Sequence, residues 1–91
     1  MKALNYALKQ LCQRNRDGSF ATQANRAQIL DLIASQLADL GFRRMQVTSL
    51  KPKHIEALVG RWKSEALSAG TIKNRMAELR WWAEKTGKEK M

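Results

Sequence analysis

A chain of 91 residues and 10.4 kDa has room for one hydrophobic core and little for a site buried between two domains. With 44% hydrophobic and 27% charged residues, its composition is that of a folded protein, which excludes a chain disordered throughout. The unusual quantity is charge: 17 Lys and Arg against 8 Asp and Glu give +9 and a pI near 10.3, so a polyanion is the natural partner, with solubility alone as the competing explanation.

Apolar residues recur at helical spacing, with a single proline and no sustained β-branched alternation, which predicts an all-α chain of four helices. The first runs roughly from Lys2 to Arg14, with Leu4, Leu8 and Leu11 on one face, Ala7 beside them and Asp17-Gly18 as the turn that ends it. Residues 1–18 are read as part of the same domain as 19–87. The second helix opens near Thr22, whose hydroxyl is a candidate cap, and lines up Leu30, Ile33, Leu37 and Leu40 before Gly41 stops it. Gly41–Ser49 is a connection exposing Arg43 and Arg44. The surplus of seven positive charges that follows Leu40 makes the C-terminal half the basic one.

Pro52 suits the first turn of a third helix, where its missing N–H had no helical partner, and Ile55, Leu58, Val59 and Trp62 form that helix's buried stripe. Ser68 is the expected cap of the last helix, Ile72, Met76, Leu79 and Ala83 its apolar side, and Gly87 its end. Residues 88–91, three charged residues followed by Met91, read as a frayed tail or a linker toward a further domain.

A catalytic site lacks parts. One histidine, His54, one tyrosine, Tyr6, and one cysteine, Cys12, fall on different elements, and no nucleophile–base pair can be assembled from them. No catalytic residue, metal ligand set or cofactor is therefore expected, and His54 reads as a half-exposed ring that shields the core or caps its helix. The lone cysteine forms no internal disulfide and fits a reducing cytoplasm, and no apolar run is long enough to span a membrane.

Candidate nucleic-acid contacts lie on the last and second helices. At 100° per residue, the apolar side of the last helix leaves Lys73, Ala77, Arg80 and Glu84 along one flank, with Asn74, Trp81 and Lys85 pointing outward. A small residue between two cations lets a helix approach a phosphate backbone, and an asparagine can read an adenine edge. Trp81 and Trp82 are adjacent, so both cannot face the core of a straight helix. Trp81 then either closes the core edge or offers a contact surface to DNA sugars or to another domain. Thr22, Gln23, Asn25 and Arg26 gather polar groups at the start of the second helix, where free N–H groups favour phosphate. Arg43, Arg44, Lys51 and Lys53 add either backbone contacts or solvated charge.

From Ser19 to Lys88 the chain resembles the N-terminal SAM-like, or core-binding, domain of phage-integrase-type tyrosine recombinases. The resemblance is carried by Phe20-Ala21-Thr22 with Asn25-Arg26, by Lys51-Pro52-Lys53-His54-Ile55 with Trp62, and most specifically by Gly70-Thr71-Ile72-Lys73-Asn74-Arg75 leading to Leu79-Arg80-Trp81-Trp82-Ala83-Glu84-Lys85 and Gly87-Lys88. It implies an orthogonal four-helix bundle that sits on one face of a recombination-site duplex. Strand cleavage would belong to a C-terminal catalytic domain absent from these residues. It also implies double-stranded DNA, that catalytic domain and other recombinase protomers as partners, and a phage or bacterial protein working at the nucleoid. By match, the DNA contacts are Thr22, Asn25 and Arg26 together with Lys73, Asn74, Arg75 and Arg80. Arg75 and Arg80 lie on opposite flanks, so one of them is free to pair with Glu78 or Glu84. Two alternatives stay open: a helical module for an acidic protein partner, with Trp81 as its contact, and a stand-alone DNA-binding regulator.

Overall fold

A computed structural model describes residues 3–87. It contains four helices, α1 (Ala3–Arg14), α2 (Phe20–Asp39), α3 (Pro52–Ser64) and α4 (Ala69–Lys85), with a 3-10 turn at Val47–Ser49 between α2 and α3. No strand occurs among the described residues, in keeping with the all-α expectation.

α1 buries Leu4, Leu8 and Leu11, the stripe expected from their spacing. It ends where the Asn15 backbone N–H and side-chain Nδ2 both donate to the Leu11 carbonyl, at 3.1 and 3.0 Å. The chain then reverses through Gly18 at φ +87°, a conformation that carries steric strain for any residue with a Cβ. A side chain there would also press on Thr22 Cγ2, 3.0 Å from an ideal Cβ.

α2 starts earlier than Thr22. Ser19 is its cap, its Oγ accepting from the Thr22 N–H at 3.2 Å, because Ser19 has the extended backbone a cap requires and Thr22 already lies inside the first turn. Leu30, Ile33, Ala34 and Leu37 are buried, whereas Leu40 is the C-cap residue and lies at the surface. Gly41 at φ +102° ends the helix in a Schellman turn, with its N–H donating to Ala38 O and that of Phe42 to Leu37 O.

α3 ends in the same way with a different residue. Ala66 takes the left-handed position at φ 56°, its N–H donating to Lys63 O and the Leu67 N–H to Trp62 O. Ser68 caps α4 as expected, accepting from the Thr71 N–H at 3.2 Å, and Gly87 at φ +77° follows its last turn.

α2 packs against each of the other three helices, and the core condenses around it. Leu8, Leu30, Ile33, Leu37, Leu50, Leu58 and Leu79 are fully buried with Trp62 and Trp82. Each fully buried aliphatic side chain contributes roughly 1.5–3 kcal/mol. Both indoles also satisfy their N–H, Trp62 Nε1 donating to Gln36 Oε1 and Trp82 Nε1 to Val47 O, each at 2.7 Å. Gln36 is the buried acceptor that makes the Trp62 position possible. The Trp82 bond ties the 3-10 turn to α4, which holds the Gly41–Leu50 connection in place.

Candidate nucleic-acid interface

The α4 flank is the simplest part of the surface. Lys73, Asn74, Ala77, Arg80 and Glu84 are all exposed, while Leu79, Trp82 and Ala83 turn into the core. Among the described residues the ion pairs are Arg26–Glu78, Arg61–Asp39, Arg61–Glu65 and Lys85–Asp17, so neither Lys73 nor Arg80 is neutralised by a carboxylate. Two unpaired cations one on each side of an alanine are therefore presented to solvent on a rigid helix.

Trp81 does not point outward. It is 9% exposed, its Nε1 donates to Asp17 Oδ2 at 3.1 Å, and the Arg26 guanidinium lies over its ring at 4.5 Å from the centroid. Both adjacent tryptophans can be buried because Trp82 faces the centre of the bundle and Trp81 faces the α1–α2 turn. Lys85 also turns to that corner, its Nζ 2.9 Å from Asp17 Oδ2. The Asp17 carboxyl is held below its ordinary range first by the Lys85 bond and then by the Trp81 bond. The contact surface that an acidic-partner module was to draw from Trp81 is occupied within the chain.

Arg26 likewise leaves the set of outward cations. Its residue is 8% exposed, Nε meets Glu78 Oε2 at 3.1 Å, and Nη1 donates to the Asp17 carbonyl at 3.0 Å. A guanidinium paired, stacked and buried in this way is turned into the bundle and not toward solvent. Glu78 is therefore partnered across the bundle by Arg26, not along α4 by Arg75 or Arg80. Arg75 is also drawn in. Its guanidinium lies 5.4 Å from the Trp62 ring centroid and its Nη1 is buried without a hydrogen-bond partner.

The Arg26 contacts place α2 beside α4. Residues 28, 29 and 32 of α2 share a cleft of about 300 Å³ with Thr71, Asn74 and Arg75, so the two helices run antiparallel along this seam. One turn before Arg26 stands Thr22, and next to it Asn25, both exposed. Thr22 Oγ1 accepts from Ser19 Oγ at 3.1 Å, which leaves its own O–H to donate outward, while Gln23 Nε2 is committed to the Gly18 carbonyl at 2.8 Å. Phe20, the first residue of α2, is 89% exposed. Helical periodicity gives no signal for it, since it precedes the apolar stripe.

Arg43 and Arg44 are exposed in the connection after α2 and share a cleft of about 450 Å³ with Lys51, Lys53 and His54. His54 is more deeply placed than a half-exposed ring, at 4% exposure. Its Nδ1 accepts from the Lys51 N–H at 2.9 Å, the capping role expected of it, and its ring meets Phe42 edge-on at 4.6 Å. Burial lowers its pKa from 6.5, and the charges of Lys53 and Lys51 lower it further.

The remaining reactive groups do not converge. Tyr6 stands exposed on α1, and the half-buried Cys12 thiol is pushed up mainly by burial, away from the thiolate that a nucleophile needs. No described helix is long and apolar enough to cross a membrane. The charge 88–91 carries, and the tail or linker expected there, lie outside the described residues.

Comparison with curated proteins and with solved structures found no match in either set. A family model for the phage integrase N-terminal domain matches residues 1–91. Together with the four-helix architecture and the phrases around Thr22, His54 and Lys73, this settles the family: the chain belongs to the phage integrase N-terminal domains.

Proposed function

We propose that the chain is the DNA-holding, core-binding domain of a tyrosine site-specific recombinase. It grips the recombination-site duplex while a catalytic domain outside these residues cleaves the strands. The observation that carries this reading is the α4 flank: Lys73 and Arg80 exposed, unpaired and separated by Ala77, with Asn74 beside them. Two phosphate-directed cations position the helix, and an amide is available to a base edge. Thr22 and Asn25 at the capped start of α2 supply further hydrogen-bonding groups near the positive end of that helix.

This assignment drops Arg26 and Arg75 as direct contacts and gives Arg26 the task of holding α2 against α4. Binding by this domain alone is weak, and the catalytic domain and further protomers on the same site add the rest through avidity. A recombinase of this kind works at the nucleoid, in the cytoplasm of a bacterium.

The test is an NMR chemical-shift titration of the chain with a short duplex at two salt concentrations. Shifts at Thr22, Asn25, Lys73, Asn74 and Arg80 that weaken as salt rises are expected for phosphate-led binding. Unmoved resonances at low salt would end the DNA-holding reading.

A further inference from the structure

The cleft between the Gly41–Met45 connection and the first turn of α3 has a property the α4 flank lacks: cationic residues of two separate segments line one opening. Arg43, Arg44, Lys51 and Lys53 line it from two separate segments, over a floor that includes Phe42 and His54, and no carboxylate lines it. None of the four is in an ion pair among the described residues. Four like charges around one opening repel one another, and an anion seated among them relieves what solvent screening leaves of that repulsion.

The frame that presents them is fixed. Phe42 N–H is bonded to Leu37 O, Leu50 is fully buried, Trp82 Nε1 holds Val47 O and the Lys51 N–H is bonded to His54 Nδ1. The two segments are therefore held at a set separation before any ligand arrives, and only the long cationic side chains need to adjust.

We infer that this cleft seats a phosphate of the duplex backbone, as a second contact that shares no residue with the α4 flank. The inference rests on the DNA-holding reading above and adds to it. Each backbone phosphodiester offers two anionic oxygens to an arginine fork or a lysine, and the close spacing of phosphates along a duplex brings further negative charge to the same four cations, which an isolated carboxylate does not. A domain held at the α4 flank alone can pivot about that helix. Seating a second phosphate at the cleft sets the angle at which the domain lies on the duplex.

His54 provides the readout, because it is the chain's single histidine and its ring C–H resonances are unique. The charged groups around it are Lys51 at the N-cap and Lys53 in the first turn of its own helix, with Arg43 and Arg44 across the cleft. Burial is the first cause of the lowered His54 pKa, and a phosphate seated here offsets the further lowering that Lys53 and Lys51 add, so the titration midpoint moves up. The experiment follows the His54 ring resonances of the whole chain with inorganic phosphate and with a short duplex, and repeats the duplex titration with the Arg43→Gln, Arg44→Gln double variant. With duplex, the midpoint is expected to rise. The variant is expected to lose about tenfold in affinity and about one unit of the log–log salt slope, with the α4 shifts retained. Unmoved His54 resonances and undiminished variant affinity, with α4 still shifting, would overturn the cleft and leave the DNA-holding reading intact. A His54 response to inorganic phosphate without one to duplex would overturn it equally. If neither α4 nor His54 responds to duplex, both readings fall.

Discussion

Arg26 and Glu78 stand 52 residues apart in the chain and meet at 3.1 Å, one on α2 and the other on α4. The same guanidinium stacks on Trp81 and donates to the Asp17 carbonyl, so one side chain joins both helices and the turn that precedes α2. The side chains are 10% and 14% exposed, which places this pair nearer a buried than a surface ion pair. Removing one partner strands the other in a partly dehydrated site.

Arg26→Ala is accordingly expected to destabilise the fold by about 2–4 kcal/mol in urea unfolding. Arg26→Met combined with Glu78→Leu should recover most of that loss, since no unpaired charge is then left behind. A loss below about 0.5 kcal/mol for the single variant would show the pair to be no stronger than a surface contact.

Ala66 holds the left-handed position that ends α3, where the equivalent residue at the end of α2 is Gly41. A Cβ at such a φ costs on the order of 1 kcal/mol. Ala66→Gly should raise stability, by less than that full amount because glycine also gains freedom in the unfolded chain. Thermal unfolding of the variant and parent side by side decides it.

The depressed pKa of His54 makes stability fall in mild acid. The folded chain binds this proton less readily than the unfolded chain, so the stabilisation is complete above the ordinary value of 6.5 and is lost as pH falls below it toward the lower folded value. Protonation also abolishes the Nδ1 acceptor that caps Lys51. Asp17 has the same sign in a separate window below its ordinary 3.8. Urea midpoints measured on either side of pH 6.5 should differ in the parent and differ less in His54→Gln.

On α4, Lys73→Ala with Arg80→Ala should weaken duplex binding and reduce the log–log salt slope by about two while leaving the unfolding free energy from urea titration within about 0.5 kcal/mol of the parent. Leu79→Ala on the opposite side should instead cost about 2–5 kcal/mol of stability. An unchanged duplex affinity in the double variant would remove this flank from the interface.

The helices were legible because their apolar spacing is regular: Leu4, Leu8 and Leu11 or Leu30, Ile33 and Leu37 need no tertiary information to share a face. The positions that differ are those set by partners distant in sequence. Trp81 lies off the apolar stripe of α4 and is buried because Asp17 and Arg26 come to it from elsewhere. Arg26 reads as an outward cation until Glu78 is brought opposite it. The α4 flank was visible from the 100° rotation per residue, whereas the cleft at Arg43, Arg44, Lys51 and Lys53 depends on the path of a connection that no periodicity describes. The cap of α2 lies three residues earlier than expected because Ser19 and Thr22 are both capping types, and the extended backbone at Ser19 decides between them.

Asp17 is half exposed, yet it receives Trp81 and Lys85 from the far end of the described chain, across 64 residues in the first case. In polymer terms this is a noncovalent clasp on a long loop, and such a closure gains nothing until the intervening helices have already brought its ends together. Such a closure is expected to form late and open early, so weakening it at Asp17 should hasten unfolding while leaving the rate of folding nearly untouched, which would make this corner a control on how long the domain stays folded.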